Sequence, residues 1–83
     1  MAKSPHDIVT WVAEVFEVAA DTIRPETKRS EIEAWDSLGI LTLMARMDED
    51  FHVLLTDGEI ERMRSVADII DVLRDHGAVG ENP

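Results

Sequence analysis

The chain has no cysteine, which removes disulfides, cysteine-ligated zinc and thiol catalysis by its own side chains together. Bases are scarce, 8 against 18 acids, for a formal net charge of −10. So negative a surface repels phosphate backbones and anionic headgroups, so neither nucleic acid nor a membrane is an expected partner. Basic partners are. No apolar run approaches the ~20 residues of a membrane span, and Met1 to Asp7 has no apolar signal-peptide core. The expectation is a cytoplasmic monomer. The three histidines, His6, His52 and His76, are dispersed, away from metal-ligand or triad spacing. With no acid–base pair or nucleophile constellation either, no metal site and no enzyme is expected. Strand-like alternation and internal repeats are missing too. What remains, 45% hydrophobic and 31% charged over 83 residues, is the composition of one small globular domain.

The negative charge is unevenly spread. From Met1 to Arg29 five acids meet four bases, and from Arg62 to Pro83 four acids meet three. Between Ser30 and Glu61 nine acids stand against Arg46 alone. Such a segment is either a solvated face or a docking surface for something positively charged.

Ser4-Pro5-His6-Asp7 combines a capping serine, proline at the first helical position and an acid placed for a capping box. Ile8, Val12, Val15 and Phe16, joined by Trp11, then form a helical stripe ending near Val18 or Ala19. Ala20 to Asp36 reads as a long ordered loop pinned by Ile23, Ile32 and Trp35, with a short turn at Ser30–Glu33. Asp36 caps a second helix running to about Phe51, whose core face is Ile40, Leu43, Met44, Met47 and Phe51. Thr56-Asp57-Gly58-Glu59 opens a short helix with Ile60 and Met63, and Ser65-Val66-Ala67-Asp68 opens another with Val66, Ile69, Ile70 and Leu73 inward. Gly77 ends it, and Ala78 to Pro83 (the tail, from residue 77 on) is expected to be flexible. The fold class is all-α, four helices with a long first loop and a short third helix.

On the second helix Ser37, Leu41, Ala45 and Asp48 share a face, with Leu38 beside it and Asp36, Asp48 and Glu49 around it. This is either an apolar contact rimmed by acids or a pair of leucines tucked beneath the loop. Ser37 is either a plain helix-start residue or a site for a phosphoester, because the first-turn N–H groups and the helix dipole favour an anion there. Nothing nearby activates its hydroxyl as a nucleophile.

Trp35-Asp36-Ser37-Leu38-Gly39 resembles the Asp-Ser-Leu attachment motif of the acyl carrier protein family. The motif follows a long mid-chain loop and opens an acidic helix ending Met47-Asp48-Glu49-Asp50-Phe51. Ile60 to Ile70 is similar to that family's third helix and the start of its fourth, and the likeness covers roughly residues 5 to 76. The resemblance implies a four-helix carrier bundle, with Ser37 receiving 4′-phosphopantetheine from coenzyme A through a separate phosphopantetheinyl transferase. The cofactor's thiol would then hold an acyl group as a thioester for partner enzymes. Asp36, Leu38, Leu41, Ala45, Asp48 and Glu49 would dock the basic patches of a loading ligase or transferase and of downstream enzymes.

Carriers of fatty-acid synthesis commonly place acids two and five residues after the serine, where this chain has Gly39 and Thr42, and Arg46 adds a positive charge. Trp35 and Gly39 around the motif look more like stand-alone carriers of specialised lipid, polyketide or surface-polymer pathways. Gly39 is also expected to loosen the first helical turn. Ile40, Met44, Ile60, Met63 and Val66 either line an acyl pocket or are ordinary core. Two other readings stand beside this one: an aminoacyl or peptidyl carrier serving an adenylating ligase, and a cofactor-less interaction module of the same fold.

Overall fold

A computed structural model describes residues 4–80. Four helices, α1 (Pro5–Val15), α2 (Ser37–Phe51), α3 (Asp57–Arg62) and α4 (Val66–Asp75), are joined by a long first loop containing two single 3₁₀ turns, Ala20–Thr22 and Arg29–Glu31. No strand forms among the described residues; Lys28 and Ser65 make one isolated bridge.

Each helix begins where its cap residues place it. Ser4 and Asp7 exchange side-chain to backbone bonds at 3.2 Å in both directions, with Pro5 contributing the first helical residue. Thr56 and Glu59 do the same for α3 at 3.2 and 3.0 Å, and Ser65 caps α4 by accepting from Asp68 N–H. The capped faces then bury the apolar stripes. Ile8, Trp11, Val12, Val15 and Phe16 meet Leu43 and Met47 of α2 and Val66, Ile69, Ile70 and Leu73 of α4 in one core. Ile40, Phe51 and Ile60 are half-buried at its edge.

The helix ends depart from expectation in two places. α1 stops at Val15 rather than near Val18 or Ala19, because Glu17 turns left-handed with φ 55°. Val18 N–H then bonds Ala13 O at 2.9 Å and Glu17 N–H bonds Glu14 O at 3.2 Å, which closes the open carbonyls of the last turn. α4 ends with the same pair of bonds around Gly77, φ 76°. There glycine announces the stop; at Glu17 no sequence signal does. The second departure is the tail. Val79 is buried in the core, so order continues beyond Gly77, while residues 81–83 lie outside the described residues.

The first loop is ordered along its length. Ile23, Ile32 and Trp35 are buried as expected. The expected turn lies at Arg29–Glu31, one residue early, closed by Ile32 N–H to Arg29 O at 3.1 Å. Three backbone bonds stitch the loop to the α3–α4 linker and the first turn of α4: Arg29 N–H to Arg64 O at 2.8 Å, Val66 N–H to Thr27 O at 2.9 Å and Ala67 N–H to Pro25 O at 2.7 Å. An L-residue in the left-handed region costs roughly 1–2 kcal/mol that glycine does not incur. Exchanging the exposed Glu17 for glycine is therefore expected to raise unfolding stability by about 0.5–1 kcal/mol in urea titrations, since glycine's greater unfolded-state freedom offsets part of the gain.

Candidate functional site

The start of α2 is built by its cap and by the loop packed behind it. Asp36 sits in extended backbone, φ −108° and ψ −166°, and its Oδ1 accepts the Gly39 N–H at 2.8 Å. Its own carbonyl accepts the Ile40 N–H at 2.9 Å, the first bond of the helix. Ser37 is then the first helical residue, exposed, with no hydrogen bond to its hydroxyl among the described residues. The serine does no capping; Asp36 does. The N–H groups of Ser37 and Leu38 also have no acceptor among the described residues, so the amide dipoles and the open hydroxyl favour a phosphoester there.

Gly39 behaves differently from the expectation of a loosened turn. It is buried, and a Cβ there would fall on the Ala34 carbonyl oxygen and against the Phe16 ring. The missing side chain is what lets the loop's last residues lie on the helix. Trp35 follows, stacked on Phe16 with centroids 5.4 Å apart and planes at 22°. Arg29 Nε–H donates to the Trp35 carbonyl at 3.0 Å. The turn carrying Ser37 is held from behind by main chain, an aromatic pair and a cation.

The leucines are not tucked under the loop. Leu38 is 71% and Leu41 62% exposed, and Ala45, Asp48 and Glu49 are exposed with them. A third exposed leucine, Leu54 at 74%, follows α2 in the linker to α3. It was missed in the sequence; the run Val53-Leu54-Leu55 just past a helix end was the available signal, since three successive side chains cannot all face one core.

The acidic surface is smaller than its composition implies. Asp36 and Glu31 spend carboxylate oxygens on backbone N–H groups, and Asp50 accepts from Trp11 Nε1–H at 2.7 Å and pairs with Arg46 at 3.1 Å. Glu59 caps α3 and meets His76 Nε2 at 2.7 Å; the Thr56 backbone N–H, and then His76, hold its carboxyl below the ordinary range. Asp48, Glu49, Asp57, Glu61 and Glu33 have no such partner among the described residues. Arg46, one turn beyond Thr42, is occupied by Asp50 and so does little to offset Asp48 and Glu49.

Of the five residues named for an acyl pocket, Met63 and Val66 are closed into the core, 1% and 0% exposed. Ile40 and Ile60 are half-buried at its edge. Met44, expected on the core face of α2, is half-buried without packing against that core, because it is turned toward the exposed side of the helix from Leu43 and Met47. No cluster of metal-ligating side chains occurs among the described residues, and no helix there is long and apolar enough to cross a membrane.

No family model matches the chain. Its curated relatives do identify it. It is 32% identical over 62 residues to the acyl carrier protein of Campylobacter fetus subsp. fetus, covering 75% of this chain and 80% of that one. It is 30% identical over 71 residues to the acyl carrier protein of Campylobacter curvus, covering 86% and 92%. With that of Acidothermus cellulolyticus it shares 30% identity over 77 residues, 88% and 92% of the two chains. The fold agrees: the solution NMR structure of the holo acyl carrier protein from Geobacter metallireducens superposes with a TM-score of 0.70 at 20% identity, over 96% of this chain and 98% of that one. Its sequence relatives are carriers and not enzymes. The chain belongs to the acyl carrier protein family.

Replacing Gly39 with alanine is expected to push the Ala34–Trp35 main chain off α2, at a cost of about 1–3 kcal/mol. Denaturant unfolding measures the loss, and the Trp35–Phe16 stacking reports its place. An unchanged midpoint would show that the helix start does not depend on this approach.

Proposed function

We propose that Ser37 is the attachment residue for 4′-phosphopantetheine and that the chain carries an acyl group as a thioester on it. The supporting observation is the exposed, unbonded Ser37 hydroxyl at the first position of a helix whose cap is made by its neighbour Asp36. When bound, the group supplies the thiol that this cysteine-free chain lacks. The protein's own residues position and present it. Asp36 and Gly39 fix the turn, and the two free first-turn N–H groups favour the phosphate. Leu38, Leu41 and Ala45 offer a small apolar contact, and Asp48 and Glu49 steer basic partners toward it. The neighbouring Asp36 carboxylate is turned to the Gly39 N–H and no base among the described residues bonds the Ser37 hydroxyl, so a separate phosphopantetheinyl transferase makes the bond, taking the phosphopantetheinyl group from coenzyme A.

The loading enzyme and the later enzymes of the pathway carry basic docking patches in this reading. Gly39 and Thr42, where fatty-acid carriers commonly have acids, favour a specialised lipid, polyketide or surface-polymer pathway over general fatty-acid synthesis. An acyl pocket at Ile40, Met44, Ile60, Met63 and Val66 requires Met63 and Val66 to part on loading, a movement that methionine's adaptable shape favours. The carrier acts in the cytoplasm as a monomer.

Incubating the apo protein with coenzyme A, magnesium and a broad-specificity phosphopantetheinyl transferase is expected to add the mass of one phosphopantetheine. Ser37→Ala is expected to add none. A wild-type chain that stays unmodified beside a control carrier that reacts would favour the cofactor-less module instead.

Reversing charge at Asp48 and Glu49 to lysine is expected to lower kcat/KM for that transfer by roughly three- to tenfold at low salt and by less at high salt, because screening weakens steering between exposed charges. Equal rates across ionic strength would remove these two acids from docking.

A further inference from the structure

Three of the chain's bases are engaged in ion pairs on its surface: Arg46 with Asp50 at 3.1 Å, Arg62 with Asp75 at 3.3 Å and Arg74 with Asp71 at 2.7 Å. Arg24, Lys28, Arg29 and Arg64 have no carboxylate partner among the described residues, and all four lie along the stitch between the first loop and the α3–α4 linker. Lys28, Arg29 and Arg64, together with Ile32 and Trp35, line a cleft of about 540 Å³. Glu33 is the one acid on its wall. The lining is therefore net positive on a chain of net charge −10.

Trp35 lines the same cleft, is only 3% exposed, and its indole N–H has no hydrogen-bond partner among the described residues. Clustered like charges are unfavourable, and an anionic oxygen settled in the cleft beside the indole relieves them. Arg29 is already oriented for it, because its Nε–H is fixed on the Trp35 carbonyl and its terminal amines are uncommitted. Trp35 stands two residues before Ser37, roughly 7 Å of main chain.

We propose that this cleft is an anion subsite for the group carried on Ser37, an inference that rests on the carrier reading above. Anionic oxygen occurs in two places on such a group: the phosphodiester at its foot and, where the cargo ends in a carboxylate, its tip. Bidentate guanidinium recognition suits either one.

The test uses the ¹⁵N-labelled full chain in four forms: apo, bearing phosphopantetheine, loaded with a carboxyacyl group and loaded with a neutral acyl group of equal length. The three modified forms are installed on Ser37 from the matching coenzyme A derivatives. Indole N–H resonances give the readout. Trp11, already bonded to Asp50, is the internal reference. The Trp35 resonance is expected to move relative to apo, and the movement to shrink by about half or more in Arg64→Gln and in Lys28→Gln, as the lost charge weakens the attraction. Both side chains are exposed, and the stitch uses only backbone atoms, so the fold survives the substitutions. Movement with the unloaded group assigns the cleft to the phosphodiester. Movement only with the carboxyacyl group assigns it to the cargo's tip. Trp35 unmoved in all forms, or moved equally in wild type and both variants, overturns the subsite. A chain that gains no mass overturns the carrier reading as well, so the two failures are distinguishable.

Discussion

The close approach of the Ala34 carbonyl to Gly39 is the constraint on which the site depends. A helix N-terminus is ordinarily a frayed place, with unsatisfied N–H groups and few tertiary contacts. Here the first turn of α2 has main chain pressed against it, and the following residue, Trp35, is locked on Phe16 of α1. Asp36 takes up the Gly39 N–H, and this leaves the neighbouring serine free of structural duty. Rigidity behind the turn and freedom in front of it come from the same few residues. The Ser37 hydroxyl is thereby both fixed in place and unobstructed.

Charge is divided with similar economy. Composition suggests an acidic middle third, but several of its carboxylates are committed to backbone caps, to Trp11 or to His76. What is left on α2, chiefly Asp48 and Glu49, lies beside Leu41 and Ala45. Lys28, Arg29 and Arg64 gather with Trp35 around one cleft, along the loop and the α3–α4 linker. The acids beside Leu41 and the bases around Trp35 therefore give the surface two fields of opposite sign.

Much of this was legible in the sequence, for physical reasons that can be named. Capping chemistry is local, so Ser4, Asp36, Thr56 and Ser65 marked all four helix starts. Period-3.6 stripes gave most of the core, since burial follows the face of the helix. The exposure of Leu38 and Leu41 was left open, because whether a loop covers a leucine is decided by packing that no local pattern encodes. The end of α1 was misplaced because Glu17 adopts a conformation that its side chain does not advertise. Gly39 was misread for a related reason: propensity describes what a glycine costs its own helix, whereas here its value lies in what a distant carbonyl is allowed to touch. Val79 escaped notice because one apolar residue after a glycine has no periodicity to reveal it.

The backbone stitch between residues 25–29 and 64–67 divides the molecule mechanically. Downstream of it, α4 contributes five buried side chains and behaves as part of the frame. Upstream, α3 is six residues long and has none. It is held instead by Ile60, half-buried at the core edge, and by Glu59 and Arg62, which meet His76 and Asp75 at the far end of α4. A turn and a half of helix fastened largely by exposed polar contacts is the part of the bundle whose seating ionic strength reaches most directly.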